Sequence, residues 1–235
     1  MINLRSRSNQ KELLDLPDIP FTDIRQNMKE LNRINTYLGG HAITVEGVKK
    51  ILRSEKQHGN ITICEIGCGG GDNLKAIEEW CTKNDIVASF IGIDIKAECI
   101  EFARQQYPDL NARWICSDYK FAAVPRTTPV IIFSSLFCHH FDDTELITML
   151  QWMKQNASQG FFINDLHRHP LAYYSIKVIT AIFSRSYLVK NDAPLSVARS
   201  FKITEWRTLL KKAGVGNCTI EWKWAFRHLI TCCHE

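Results

Sequence analysis

The sequence predicts an α/β domain with a doubly wound, mostly parallel sheet, and three observations predict it. Between residues 61 and 165, short runs that are apolar throughout alternate with amphipathic stretches. Strands of that kind joined by helices form parallel sheets covered on both faces. The first run leads into a glycine cluster, Gly67-Cys68-Gly69-Gly70-Gly71, where a strand turns sharply into a helix. At the C-terminus two strand-like runs follow each other with almost no gap, so they pair as an antiparallel hairpin on the sheet edge.

The elements follow in order. Phe21 to Asn35 places Ile24, Met28, Leu31 and Ile34 at helical spacing. Gly39-Gly40 breaks the pattern, and a second helix runs from Ala42 through Leu52. These helices form an N-terminal cap over residues 1–58, ahead of the main domain at 59–235. ITICEI (61–66) is the first buried strand, and Asp72 to Trp80 or beyond is its helix. IVASFIGIDI (86–95) and ARWICS (112–117) are the second and third strands, with a helix from Ala97 to Gln106 between them. PVIIFSS (129–135) is the fourth strand. Asp142 to Gln155 is a helix with Leu146, Met149, Leu150 and Met153 on one face, and GFFIND (160–165) is the fifth strand. After a long connection from Pro170, Thr204 opens a helix that Gly214 ends. CTIEWKWA (218–225) and FRHLITCC (226–233) make the hairpin. The whole is a Rossmann-like sheet with an antiparallel C-terminal strand.

Composition narrows the function classes. With 235 residues, 45% hydrophobic, the chain builds a sizeable core and is neither disordered nor coiled coil. A net charge of +4 is mild: it permits an anionic partner but does not argue for a dedicated nucleic-acid binder. Met1 to Pro20 lacks the apolar run of a secretory signal, and Leu171 to Phe183, interrupted by Lys177, is too short to span a bilayer. Most of the nine cysteines sit singly in apolar runs, there is no CxxC pair, and Cys232 and Cys233 are adjacent. The expectation is a cytoplasmic protein with reduced thiols and no disulfide. Nothing in the sequence specifies an oligomer.

Charge around the glycine loop selects its ligand. A dinucleotide needs the helix N-terminus free for its pyrophosphate. Asp72 occupies that N-terminus and Glu65 lies just before the loop. Two acids disfavour phosphate and favour a cofactor with a cationic end, such as S-adenosylmethionine, which carries an ammonium and a sulfonium. Asp94 ends the second strand, where a ribose diol is gripped, and Ser117-Asp118 end the third, placed to meet an adenine amino group.

The residues E-I-G-C-G-G-G-D, then G-I-D-I, then C-S-D-Y resemble the successive motifs of class I S-adenosylmethionine-dependent methyltransferases. The late hairpin resembles their reversed final strand, and F-K-I-T-E-W-R-T-L-L-K-K-A-G the helix before it. The likeness covers Ile61 to the C-terminus, and the nearest subgroup is the small-molecule type similar to enzymes of quinone biosynthesis. The resemblance implies that Glu65, Gly67, Gly69 and Gly71 hold the methionine part, Asp94 the ribose and Asp118 the adenine. Asn73, Ile95, Ser117, Tyr119 and Ser134 complete the expected cofactor shell. S-adenosylhomocysteine is the product implied.

Methyl transfer from a sulfonium mainly needs alignment, and a hydroxyl acceptor also needs a base. His139 and His140 follow the fourth strand and are the candidate bases, since imidazole has a suitable pKa. His167 and Arg168, beyond the fifth strand, are candidate substrate contacts. Tyr37 and His41 at the glycine pair, with Tyr173 and Arg199 in a lid insertion near 171–200, extend that set. The apolar lid predicts a hydrophobic, phenolic or polyketide-like acceptor methylated on oxygen. Carbon methylation of a quinone precursor, RNA methylation suggested by the Trp222-Lys223-Trp224 run, and a non-catalytic cofactor-binding subunit are the alternatives. No metal is expected, because two adjacent histidines on extended backbone point to opposite sides.

Overall fold

The computed structural model of the chain describes residues 3–52, 60–125 and 130–233. The boundary expected at 58–59 lies outside the described residues. Seven strands form one sheet: β1 (Ile61–Ile66), β2 (Ala88–Asp94), β3 (Ala112–Cys116), β4 (Val130–Ser135), β5 (Gly160–Leu166), β6 (Cys218–Lys223) and β7 (Arg227–Cys233). Their order is β3-β2-β1-β4-β5-β7-β6. All five leading strands run parallel, and β7 runs antiparallel to both β5 and β6. The order reverses between β1 and β4, which opens a crevice at their C-terminal ends. Every residue of β1 and of β4 is buried, as strands covered on both faces require.

Helices α3 (Asp72–Lys83) and α4 (Ala97–Gln106) flank the β1-β2-β3 half. Helices α5 (Asp143–Asn156) and α8 (Ile203–Lys212) cover the opposite face of β4 and β5, with Trp206, Leu209, Met149 and Met153 in one core. A capping box starts α5, where Asp142 accepts from the N–H of Glu145 and Glu145 reaches back to Asp142.

Helices α1 (Phe21–Tyr37) and α2 (Gly40–Leu52) begin the chain's helical part. Ile43, Val48, Ile51 and Leu52 of α2 share a core with Ile61, Ile63, Leu74 and Phe162, so α2 belongs to a helix layer of the sheet. A Cβ on Gly47 would lie 2.4 Å from the Phe162 ring, which is why glycine stands at that helix–sheet contact. The long connection folds as α6 (Pro170–Phe183) and α7 (Tyr187–Arg199). Buried Glu30 of α1 ties the two together, accepting from the N–H groups of Arg185 and Ser186 and from the Ser184 hydroxyl.

The cysteines correct one expectation. Cys218 and Cys232 stand directly opposite across β6 and β7, 4.2 Å apart at Cα, and form a disulfide. The hairpin brings them together: each lies seven residues from Ala225 at the turn. Judging Cys232 against its neighbour Cys233 missed the partner that strand register supplies. Cys64, Cys68, Cys81, Cys99 and Cys138 are buried thiols. Among the described residues, no helix is long and apolar enough to cross a membrane.

Candidate active site

The crevice holds a cavity of about 640 Å³. Its floor is the glycine loop. Gly67, at φ +70°, sits where a Cβ would lie 2.3 Å from the Phe137 ring, so only glycine lets loop and ring meet. Gly71, at φ +79°, is the N-cap of α3 and packs on Trp114. Glu65 is buried at the end of β1. Its Oε1 accepts from Asn73 Nδ2 at 2.8 Å, while its Oε2 has no partner. Burial pushes the Glu65 carboxyl well above its ordinary range, against the Asn73 hydrogen bond and with Asp72 and Asp94 adding to it.

Asp94 accepts from the N–H of Gly69 and of Lys96, each at 2.9 Å, one on each oxygen. Each oxygen retains a lone pair for a further donor. Ser117, Asp118, Tyr119 and Ile95 border the same end. Asp118 also caps a short 3-10 turn by accepting from the Lys120 N–H. The Tyr119 hydroxyl is buried without a partner. Ser134 is fully buried beneath the wall, accepting from Cys138 Sγ, and Gly71 also lies behind it.

The other end of the cavity is built around the 3-10 turn Cys138–His140. His139 directs Nδ1 to Asp165 Oδ1 at 2.8 Å, and its backbone N–H reaches Asp165 Oδ2 at 3.1 Å. Burial opposes the charge on Asp165, yet His139 and the Leu166 N–H overcome it and hold the carboxyl below its ordinary range. A carboxylate only accepts, so Nδ1 carries a proton and Nε2 is the ring nitrogen turned to Glu12. Nε2 of His139 lies 3.5 Å from Glu12 Oε1, and Nε2 of His140 lies 3.7 Å from Glu12 Oε2. His140 meets Asp15 through Nδ1 at 3.1 Å. Burial, partly offset by His140, raises the Glu12 carboxyl to about 7.

Between these ends the lining is apolar: Met28, Leu31, Ile34 and Leu38 on one side, Ile176, Ile179, Val189 and Val197 of α6 and α7 on the other. His41 borders the cavity and bridges Asn73 Oδ1 and Asn32 Oδ1, each at 2.9 Å. Tyr37 is 86% exposed and, like Tyr173 and His167, stands outside the lining. Two arginines are corrections. Arg168 spends its guanidinium on the carbonyls of Leu4 and Ser200 and on Glu205 at 2.6 Å, buried away from the cavity. Arg199 donates to the carbonyls of His139 at 3.0 Å, His140 at 2.8 Å and Gln10. It holds the histidine turn in place, with all three of its nitrogens donating to backbone carbonyls.

Glu12 and Asp15 of the lining were not singled out from the sequence. Strand order gave a signal for Asp165, since β5 neighbours β4 and ends beside the histidines. Nothing local marks Glu12, which arrives from far away in the chain. Glu12, His139 and His140 also turn one ligand atom each to within 4.8 Å of one another, donors of the kind a divalent cation takes. The adjacent histidines converge because their backbone is a 3-10 turn and not extended.

A parallel sheet with a reversed final strand and a glycine loop at its switch point leave a cavity whose orphaned acid and hydroxyl groups fit an adenosine cofactor with a cationic end. Residues 63–160 match the family model described as a methyltransferase domain. Those residues make up less than half of the chain and carry the methyltransferase domain of a Rossmann-like sheet. No curated protein matches it by sequence. Among solved structures it is similar to the plantazolicin methyltransferase BpumL bound to S-adenosylhomocysteine, with a TM-score of 0.67 at 15% identity over 92% of this chain and 95% of that one. BpumL with a monoazolic desmethylPZN analog gives 0.67 at 18%, over 91% and 90%. Human N-acetylserotonin methyltransferase with S-adenosylmethionine gives 0.63 at 14%, and the likeness covers 91% of this chain and 56% of that one.

Proposed function

We propose that the enzyme methylates a hydroxyl of a small hydrophobic acceptor, with His139 as the base. The observation that carries this is the His139–Asp165 pair, bonded at 2.8 Å at one end of a cavity whose middle is walled by apolar side chains. The cofactor residues fit the group: the unpartnered Glu65 Oε2 suits the ammonium, Asp94 the ribose diol, and Asp118 with the Tyr119 hydroxyl the adenine end. Bound there, S-adenosylmethionine supplies a sulfonium methyl to which the acceptor oxygen bonds as the carbon–sulfur bond breaks. His139 takes the acceptor's proton at Nε2, and Asp165 stabilises the imidazolium that results. The apolar walls exclude water and hold the acceptor in line. Glu12, beside Nε2, adds further stabilisation to the protonated ring.

Incubation with labelled S-adenosylmethionine and a panel of phenols and hydroxyquinones tests the reading. Turnover that His139→Ala abolishes while S-adenosylhomocysteine still binds supports it. No turnover with any member, given confirmed cofactor binding, counts against it.

A further inference from the structure

Among the described residues two strongly basic side chains border the cavity: Lys96, whose ammonium donates to the Leu16 carbonyl, and Arg227, which the reading above leaves unused. It begins β7, opposite Leu166 of β5, and is 2% exposed. Its Nη2 donates to Asn35 Oδ1 at 2.9 Å. Its Nε and Nη1 are buried and have no partner. Among the described residues no carboxylate touches it, and Asp165, the anion that acts on it through space, is engaged by His139 and Leu166. Gly40 makes room for the group: a Cβ there would lie 3.1 Å from Nη2 and 3.2 Å from Cζ. A guanidinium stays protonated in a protein, so this is a buried cation with idle donors. Such a group is costly unless an anion answers it.

We propose that Arg227 binds a carboxylate of a ligand in the cavity. A planar carboxylate matches the guanidinium fork. Asn35, which accepts from Arg227 through Oδ1, keeps its amide NH2 to donate to the same group. The acids around the rest of the cavity, Glu12, Asp15, Asp94 and Asp192, repel a phosphate dianion more than a monoanion. The carboxylate has two possible sources with one chemistry: the methionine end of the cofactor, or an acid group on the acceptor. The inference rests on the proposed function only for the second source, and binding rather than turnover is therefore the readout.

Calorimetry on wild type, Arg227→Met and Arg227→Lys separates the cases. S-adenosylhomocysteine is compared with 5′-methylthioadenosine, which lacks the amino-acid part. Then the S-adenosylhomocysteine-saturated enzyme is titrated with benzoate, 4-hydroxybenzoate, 4-phenylbutyrate and decanoate, each against its amide. Losing a bidentate charged contact weakens binding roughly ten- to a hundredfold. A loss for S-adenosylhomocysteine with 5′-methylthioadenosine unchanged assigns the contact to the cofactor. A loss for a carboxylate with its amide unchanged assigns it to the acceptor. Arg227→Lys, which keeps the charge and loses the fork, falls between wild type and Arg227→Met and serves if the methionine variant does not fold. Unchanged S-adenosylhomocysteine affinity in the variants, together with no carboxylate preferred over its amide, overturns the proposal.

Discussion

Replacing Glu65 by glutamine keeps the shape of the site and removes one charge. In the free protein that carboxyl is buried, held by Asn73 through one oxygen, with the other unpartnered. An ammonium reaching Oε2 forms a charge-assisted hydrogen bond in a dry setting. Such bonds contribute about 1.5–3 kcal/mol, so Glu65→Gln weakens S-adenosylhomocysteine roughly ten- to a hundredfold. The control ligand 5′-methylthioadenosine has no ammonium and loses little. Calorimetry at neutral pH measures both. Glu65→Gln affinity for S-adenosylhomocysteine within about threefold of wild type, or an equal loss for the two ligands, refutes the assignment.

The same substitution carries a pH signature. The folded pKa of Glu65 is raised by burial above its unfolded value. The stability linked to this group is therefore fully present below the ordinary carboxylate pKa and is lost as pH rises through the raised one. Unliganded wild type thus loses melting temperature over that interval relative to Glu65→Gln. Saturating S-adenosylhomocysteine supplies the counter-ion and narrows the gap. Melting curves that stay parallel across the interval, with and without ligand, contradict the buried-acid account.

Three further outcomes are expected. Asp165→Asn leaves S-adenosylhomocysteine affinity near wild type and, once an acceptor is in hand, lowers kcat about a hundredfold or more with little change in KM, because an amide can hold the wrong imidazole tautomer; equal kcat rules out the base pair. Cys218→Ser lowers unfolding free energy by about 2–4 kcal/mol under oxidising conditions and by little in dithiothreitol, as read by urea denaturation. Gly67→Ala, which forces a left-handed residue and a Cβ against Phe137, lowers the melting temperature and abolishes S-adenosylhomocysteine binding in a thermal-shift titration.

The sheet was legible because its strands are apolar on both faces and its helices are not. IVASFIGIDI exceeds β2 at both ends, since apolar letters continue past the last ladder bond. The position of Glu65, Asp94 and Asp118 on the cavity was legible for a related reason: each ends a strand or follows one closely, so strand boundaries place them. Arg168 and Arg199 were misread because position beyond a strand end does not say which way a long side chain turns. Both turn inward, where backbone carbonyls outnumber other acceptors. The disulfide needed register, and Glu12 needed a tertiary path that no local pattern encodes.

That path is organised by one helix face. Asp192, Ser196 and Arg199 are spaced four and three residues apart along α7, so they share a side. Asp192 accepts from the N–H groups of Leu13 and Leu14 at 2.8 and 2.9 Å, Ser196 donates to Glu12 at 2.7 Å, and Arg199 grips the carbonyls of Gln10, His139 and His140. Helix α7 therefore does two things at once. Its Val189 and Val197 line the apolar cavity, and its polar face sets the distance between the N-terminal segment and the histidine turn. Because Glu12 touches the imidazoles only through this scaffold, the histidine end of the cavity is complete only with α7 in place, and on the proposed function the helix that walls the acceptor is also the one that aligns the base.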